Sequence, residues 1–267
     1  MHTILSILIS TLPVTTSTLL PSTPQTIFTN PSESIAYDIP SPHDSAILAR
    51  RILNLTPLGV LSTTFPSQHS PAQHPSPAHL TDAARPQDLS GIPIGMMDYV
   101  ADCEADGNPT ILAINIATTF RNAARGSNVS LALQWTPPYP PSSRISSRKQ
   151  DPFAYSAANL PRFSLLGHLE RLSAEDVEKS KVKECFVKKH PDARYWLPGN
   201  RIHTSEWVRL VVEGVYWIGG FGDRAYIGWI GVEEYANVTR EDWEGVRLPG
   251  EKKGWKEWAV DIIGVEL

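Results

Sequence analysis

Three asparagines stand in the N-x-[ST] spacing of a glycan acceptor: Asn54-Leu55-Thr56, Asn128-Val129-Ser130 and Asn237-Val238-Thr239. Such sequons are used only along a secretory route. Asn237 follows an acidic turn and is the expected principal acceptor. Asn128 opens a strand, and Asn54 is followed by Thr56-Pro57; both features lower their odds. His69, His74 and His79 recur every five residues, but in a proline-rich coil that spacing fixes no common face, so a surface loop is expected there and not a metal site. His168 and Glu170 lie two apart on a strand and so share a face, which suits a paired histidine better than a catalytic base. Gly219-Gly220-Phe221-Gly222 joins two strands and opens no helix, so it reads as a turn and not as a phosphate cradle. The chain has no G-x-S-x-G, no phosphate loop, no G-x-G-x-x-G and no H-E-x-x-H. No nucleophile is identifiable.

Composition narrows the classes. The net charge is −4, without the basic excess of a nucleic-acid binder. The run Lys179, Lys181, Lys183, Lys188, Lys189 is interleaved with Glu175, Asp176, Glu178 and Glu184 and reads as a solvated helix face. With no C-x-x-C pair, a zinc ribbon or thioredoxin-type site is excluded. Cys103 and Cys185 can form one bridge, or Cys185 can simply sit on the apolar face of its helix. The opening MHTILSILISTL is too short to span a bilayer and suits the apolar region of a secretory signal, although the usual basic segment before it is missing. No other run is long enough for a membrane helix.

The elements that must position these residues follow from periodicity. Residues 43–54 read as a helix with Ile47, Leu48 and Ile52 on one face. Leu58–Thr64 reads as a strand, as do residues 92–101 and 110–117, which flank the Asp106-Gly107-Asn108-Pro109 turn and form a hairpin. A short turn or helix over 118–127 carries Arg121, Asn122 and Arg125. Residues 128–135 alternate as a strand, with Val129, Leu131 and Leu133 on one face. Strands are also expected over 162–172, 207–218 (with a bulge at Gly214) and 225–231. Ser173 and Asp176 resemble a capping box before a helix with the stripe Val177, Val182, Cys185, Phe186, ended by His190-Pro191. Of the 23 prolines, 20 lie in residues 1–161, most of them in a leader and in two insertions, 65–90 and 136–161. The total is six or seven strands, mostly antiparallel, with two or three helices. A small mainly-β barrel fits this pattern better than a sandwich.

The order of these pieces resembles the CREG family of secreted glycoproteins and, more widely, the pyridoxamine 5′-phosphate oxidase-like, FMN-binding split barrels. GVLSTT, NVSLAL, RFSLLGHLERLSAED, HPDARYW and EEYANVT carry the likeness, over residues 43–239. It implies a six- to seven-stranded antiparallel split β-barrel, usually a homodimer, with any flavin at the dimer interface. For the CREG branch it implies secretion or a lumenal or vacuolar destination, glycosylation and no catalysis; for the flavin-binding relatives it implies FMN-dependent oxidoreduction. The resemblance divides the chain into a signal peptide at 1–19, an irregular leader at 20–42, the barrel at 43–239 and an extension at 240–267. Trp255, Trp258 and Ile262 suggest that the extension packs on the barrel. Flavin-binding relatives resemble S-x-L-A-x-H-T-x-N after the third strand. Here the Ser position is Ile114, the His-Thr positions are Thr119 and Phe120, and the Asn is Asn122. Ile114 and Phe120 offer no donor to a phosphate. Ser62, Thr119, Arg121, Asn122 and Arg125 remain as the FMN candidates.

Overall fold

The computed structural model describes residues 39–67, 86, 88–140, 157–200, 204–221 and 225–253. The readings of the signal, of nearly all of the leader, of His69, His74 and His79, of residues 141–156 and of the tail tryptophans Trp255 and Trp258 fall outside them.

Helix α1 (Pro42–Leu55) starts at a capping box: the Asp44 backbone N–H donates to Ser41 Oγ, and the Asp44 carboxylate accepts from the Ser41 N–H. Its apolar face buries Ala46, Ala49, Ile52 and Leu53. Pro57 follows, and β1 (Leu58–Thr64) runs out with strict alternation of buried and exposed positions up to Leu61. β2 (Pro93–Ala101) and β3 (Thr110–Ile114) form the expected hairpin. β3 ends three residues earlier than alternation suggests, because the Ala117 N–H folds back onto the Ile114 carbonyl at 2.9 Å. Helix α2 (Thr118–Ala123) follows, then β4 (Val129–Gln134) and β5 (Arg162–Arg171).

The lysine-rich segment is two helices, α3 (Ala174–Lys179) and α4 (Val182–Lys189), not one. The break falls at Lys181, whose φ of 47° lies in the left-handed region. Ser173 and Asp176 do form the capping box that opens α3. A 3-10 turn over Pro191–Tyr195 leads to the long strand β6 (Ser205–Ile218) and to β7 (Ile227–Ile230). Helices α5 (Val232–Ala236) and α6 (Arg240–Gly245) close the described chain. Two or three helices are expected from periodicity, and six stand among the described residues. α5 and α6 are one to two turns long and mostly polar, so their pattern is too short to register.

Strands β1, β2, β3, β6, β5 and β4 close on themselves, antiparallel throughout, and β7 is added beside β6. Pairing of β3 with β6 completes the ring. The β2–β3 seam is short, Val100 with Ile111 and Ala101 with Thr110, which splits the barrel there. Leu61, Ile111, Leu131, Leu165 and Leu210 meet inside it, fully buried, each stabilising the fold by about 1.5–3 kcal/mol. The bulge lies one residue from the expected place: Leu166 pairs with Gly214 and Gly167 with Val212, so Glu213 is the extra residue. The glycine this crossing demands is Gly167, where a Cβ would stand 1.8 Å from the Val211 carbonyl oxygen.

A smaller core lies outside the barrel wall, where Ala101, Leu112 and Trp207 face Val182, Phe186 and Ala193. Cys103 and Cys185 are bridged across it, with their Cα atoms 5.8 Å apart, and no free cysteine remains.

Candidate functional site

Alternation along β1 sets the geometry. Leu61 and Thr63 point into the barrel, while Val60 and Ser62 point out. Asn122, buried in α2, donates from Nδ2 to Thr63 Oγ1 at 3.1 Å. Its backbone carbonyl accepts from the Arg125 and Ser127 N–H groups, both at 3.1 Å. Ser127 Oγ in turn accepts the Thr64 N–H at 2.8 Å. Thus the 118–127 segment is fastened to the end of β1 by its own polar groups. Thr119 is also buried, whereas Arg121 and Arg125 are half-exposed. Ser62 lies on the opposite face of the strand, level with Gly95 on β2 and Ser130 on β4.

Four of the five FMN candidates thus share the 118–127 segment beside the end of β1, and Ser62 lies on the outward face of that strand. Two are buried toward the barrel interior, one of them hydrogen-bonded to Thr63, and Ser62 is separated from them by the strand itself. A phosphate needs donors converging on one point, and in this set Arg121 and Arg125 are the cationic groups that keep access to solvent.

What the outward face does assemble is an apolar surface. Registers align Met97, Val60, Ala132, Ser164, Tyr216 and Trp229 in one row across β2, β1, β4, β5, β6 and β7. Met97 is 68% exposed and Trp229 60%, with Trp229 set edge-on to Tyr216 at 5.2 Å. A groove of about 610 Å³ runs along this row. Leu58, Val60, Ala132, Trp135 and Tyr216 line it, and Arg162 is the single charged residue among the lining side chains. Sequence reasoning did not find this face, because exposed valine, methionine and tryptophan on a strand read as core until the register is known.

The titratable groups with displaced pKa values lie elsewhere. Asp98, on the inward side of β2, is pushed up to about 6 by burial, against the opposing effect of the Tyr99 N–H that it accepts. Asp102 is also pushed up to about 6 by burial, although Arg50 stands 3.8 Å away and Asn54 hydrogen-bonds to it. Arg50 is itself buried. It donates to the Tyr235 and Val238 carbonyls at 3.3 and 3.2 Å and to the Ala105 carbonyl at 2.8 Å. Asp102 thus takes an internal guanidinium as its cation, while Glu104 in the same loop pairs with Arg209 at 3.0 Å. Burial lowers the His190 pKa; its Nε2 donates to the Val100 carbonyl at 2.9 Å, and its ring stacks on Tyr99.

His168 pairs with Glu213 at 2.9 Å, not with Glu170, which goes to Arg209. The bulge at Glu213 swings that carboxylate toward β5. Of the sequons, Asn237 is exposed at the end of α5 and Asn128 is exposed just before β4, whereas Asn54 is half-buried with its amide on Asp102. Among the described residues no group of His, Cys, Asp and Glu could hold a metal, and no helix is long and apolar enough to cross a membrane.

The family model for the CREG β-barrel matches residues 40–237. No curated protein sequence matches the chain. Among solved structures, a heme binding protein from Mycobacterium smegmatis is 19% identical with a TM-score of 0.48, over 74% of this chain; the chain spans 60% of that protein's length. A FAD-binding protein from Mesorhizobium loti is 12% identical with a TM-score of 0.37, over 64% of this chain and 91% of the other. The heme storage protein of Vibrio cholerae is 14% identical with a TM-score of 0.37, over 67% of this chain and 95% of the other.

Proposed function

The chain belongs to the CREG β-barrel family, and from that premise we propose that it is a secreted or lumenal glycoprotein that acts as a homodimeric binding module without catalysis of its own. The observation that carries this reading is the division of polar groups across β1. Two of the candidate flavin donors, Thr119 and Asn122, are buried in the barrel wall, and the outward face carries an exposed apolar row. An exposed apolar row of this extent is the ordinary mark of a protein contact surface. Both cysteines are bridged, which suits an oxidising compartment, and Asn237 is open to a glycan.

Three measurements on protein purified from its native host test the reading. The visible spectrum after dialysis and after addition of FMN should show no bound flavin; a yellow spectrum that survives dialysis overturns the non-catalytic reading in favour of an FMN-dependent oxidoreductase. Glycosidase treatment should shift the electrophoretic mobility, and Asn237→Gln should remove most of that shift. Absence of any shift counts against the secretory route. Sedimentation should give a dimer that Trp229→Ser weakens, and a monomer at all concentrations sinks the pairing.

A further inference from the structure

We propose that Tyr226 guards the free edge of the sheet: its hydroxyl, carried across Gly228 to the Trp229 carbonyl, keeps β7 from pairing with β7 of a second copy of this chain. The contact it prevents runs through backbone groups at the strand's edge, and so differs from the facing of apolar rows in the functional reading.

Pairing geometry decides which groups are at stake. β7 stands beside β6, and among the described residues no strand pairs with its other edge. Tyr216 meets Trp229, Trp217 meets Gly228 and Ile218 meets Ile227. The Gly219 N–H donates to the Tyr226 carbonyl at 3.0 Å, so Gly219 and Tyr226 are a hydrogen-bonded pair. Bonded and non-bonded pairs alternate in an antiparallel ladder. Gly228 and Ile230 therefore turn their backbone groups to β6, whereas Ile227 and Trp229 turn theirs away from it. The side chains of these two are exposed as well, 43% for Ile227 and 60% for Trp229. An open edge carrying branched and aromatic residues is a template for a further strand.

Tyr226 occupies part of that template. Its ring is half-buried against the barrel core, and its hydroxyl donates to the Trp229 carbonyl at 2.7 Å. That is the place an added strand's N–H would take. The path requires glycine beneath it: a Cβ on residue 228 would stand 2.8 Å from the Tyr226 hydroxyl oxygen and 3.0 Å from its Cζ. Two copies paired antiparallel about a two-fold axis at Gly228 would set Ile227 opposite the partner's Trp229. Each such pair exchanges two backbone bonds, one of them accepted by a Trp229 carbonyl. The hydroxyl thus withholds half of the bonds on which this contact depends.

Sedimentation of the full chain over a range of concentrations tests this. Tyr226→Phe frees the carbonyl and keeps the ring, whereas Gly228→Ala keeps the hydroxyl and displaces it. A net backbone bond shifts an equilibrium about fivefold, so two should bring further association at about 25-fold lower concentration in Tyr226→Phe than in the unaltered chain. Gly228→Ala should shift it the same way. Adding Ile227→Pro to Tyr226→Phe should reverse the gain. Proline lacks the N–H that the Trp229 carbonyl would accept, and at this position that N–H makes no bond to β6. Near-UV circular dichroism checks that each variant is folded; if Gly228→Ala is not, Tyr226→Phe decides alone. A gain that Ile227→Pro reverses supports the proposal. A folded Tyr226→Phe that sediments like the unaltered chain at every concentration overturns it. So does a gain that Ile227→Pro leaves in place, since the contact then lies elsewhere. The pairing in the functional reading is tested by Trp229→Ser in the otherwise unaltered chain, and neither result decides the other.

Discussion

Strand β1 carries two unlike surfaces a side chain's width apart. Toward the barrel, Leu61 is fully buried among residues of five strands, and Thr63 is buried against Asn122. Away from it, Val60 is partly exposed and Ser62 half-buried, level with other small or apolar residues on β2 and β4. The same strand thus serves stability with one face and leaves the other available. The difference teaches where contact can reside: a polar group bonded inside the wall is committed in part to holding the fold, whereas an exposed apolar row gains by being covered.

The comparison breaks first at the buried side chains. Leu61→Ala should cost about 2–5 kcal/mol in urea denaturation through the cavity it leaves, and Val60→Ala less than about 0.5 kcal/mol. Similar losses at both positions would mean that the two faces are equally packed. The small outer core has a different source of strength. Replacing Cys103 and Cys185 by alanine removes a cross-link that spans 82 residues and should cost about 2–4 kcal/mol. It should leave the barrel strands protected in hydrogen exchange while α4 opens.

The next effect is on pH. Asp98 and Asp102 both have folded pKa values of about 6, above the unfolded value. Between about pH 4 and pH 6 the folded state then holds more protons than the unfolded state, so stability rises as pH falls through this window. The two carboxyls contribute on the order of 1–3 kcal/mol each, lost progressively as pH rises from about 4 through 6. His190 opposes them, since its lowered pKa favours the folded state only above the histidine range. Below pH 4 the trend reverses. There Asp44, Asp176 and Asp242 lose the hydroxyl donors Ser41, Ser173 and Thr239 that hold them below the usual carboxylate range. The melting temperature should therefore be higher at pH 5 than at pH 7.5, and Asp98→Asn should reduce that difference by raising the value at pH 7.5. No difference between the two pH values would remove the assignment of both aspartates as buried charges.

The smallest effect sharpens the comparison most directly. Asn122→Ala should cost about 1–2 kcal/mol by leaving Thr63 without its donor, and Ser62→Ala less than about 0.5 kcal/mol. If Ser62 proves the costlier loss, the outward face holds a bond that the geometry does not show.

Much of the barrel was legible in the sequence because strands announce themselves by period. Val129, Leu131 and Leu133 alternate and are all buried, and Leu58–Thr64 is the strand its branched residues suggest. The closure of the ring was not legible. It depends on Leu112 meeting Trp207 across the β3–β6 pairing, and no local pattern records which distant strand a strand will meet. The placement of the flavin candidates was not legible for a related reason. Ser62 and Asn122 are both suitable donors by type, but alternation along β1 turns Ser62 outward, whereas the docking of α2 turns Asn122 onto Thr63. The Cys103–Cys185 bridge was one of two open readings, and only the packing of α4 on the outer wall decides between them.

Arg50 has a consequence for how the chain is made. Its guanidinium is buried from water, and its carbonyl partners at Tyr235 and Val238 lie 185 and 188 residues downstream. During synthesis at about 5–20 residues per second those partners emerge on the order of 10–40 s after Arg50 itself. Until then the guanidinium has only its earlier partners, Asp102 and the Ala105 carbonyl, the latter 55 residues downstream, so its bonding is completed when the last helices arrive. The first helix is in this sense among the last to be seated, and the time at risk before seating grows with every residue inserted between the two ends.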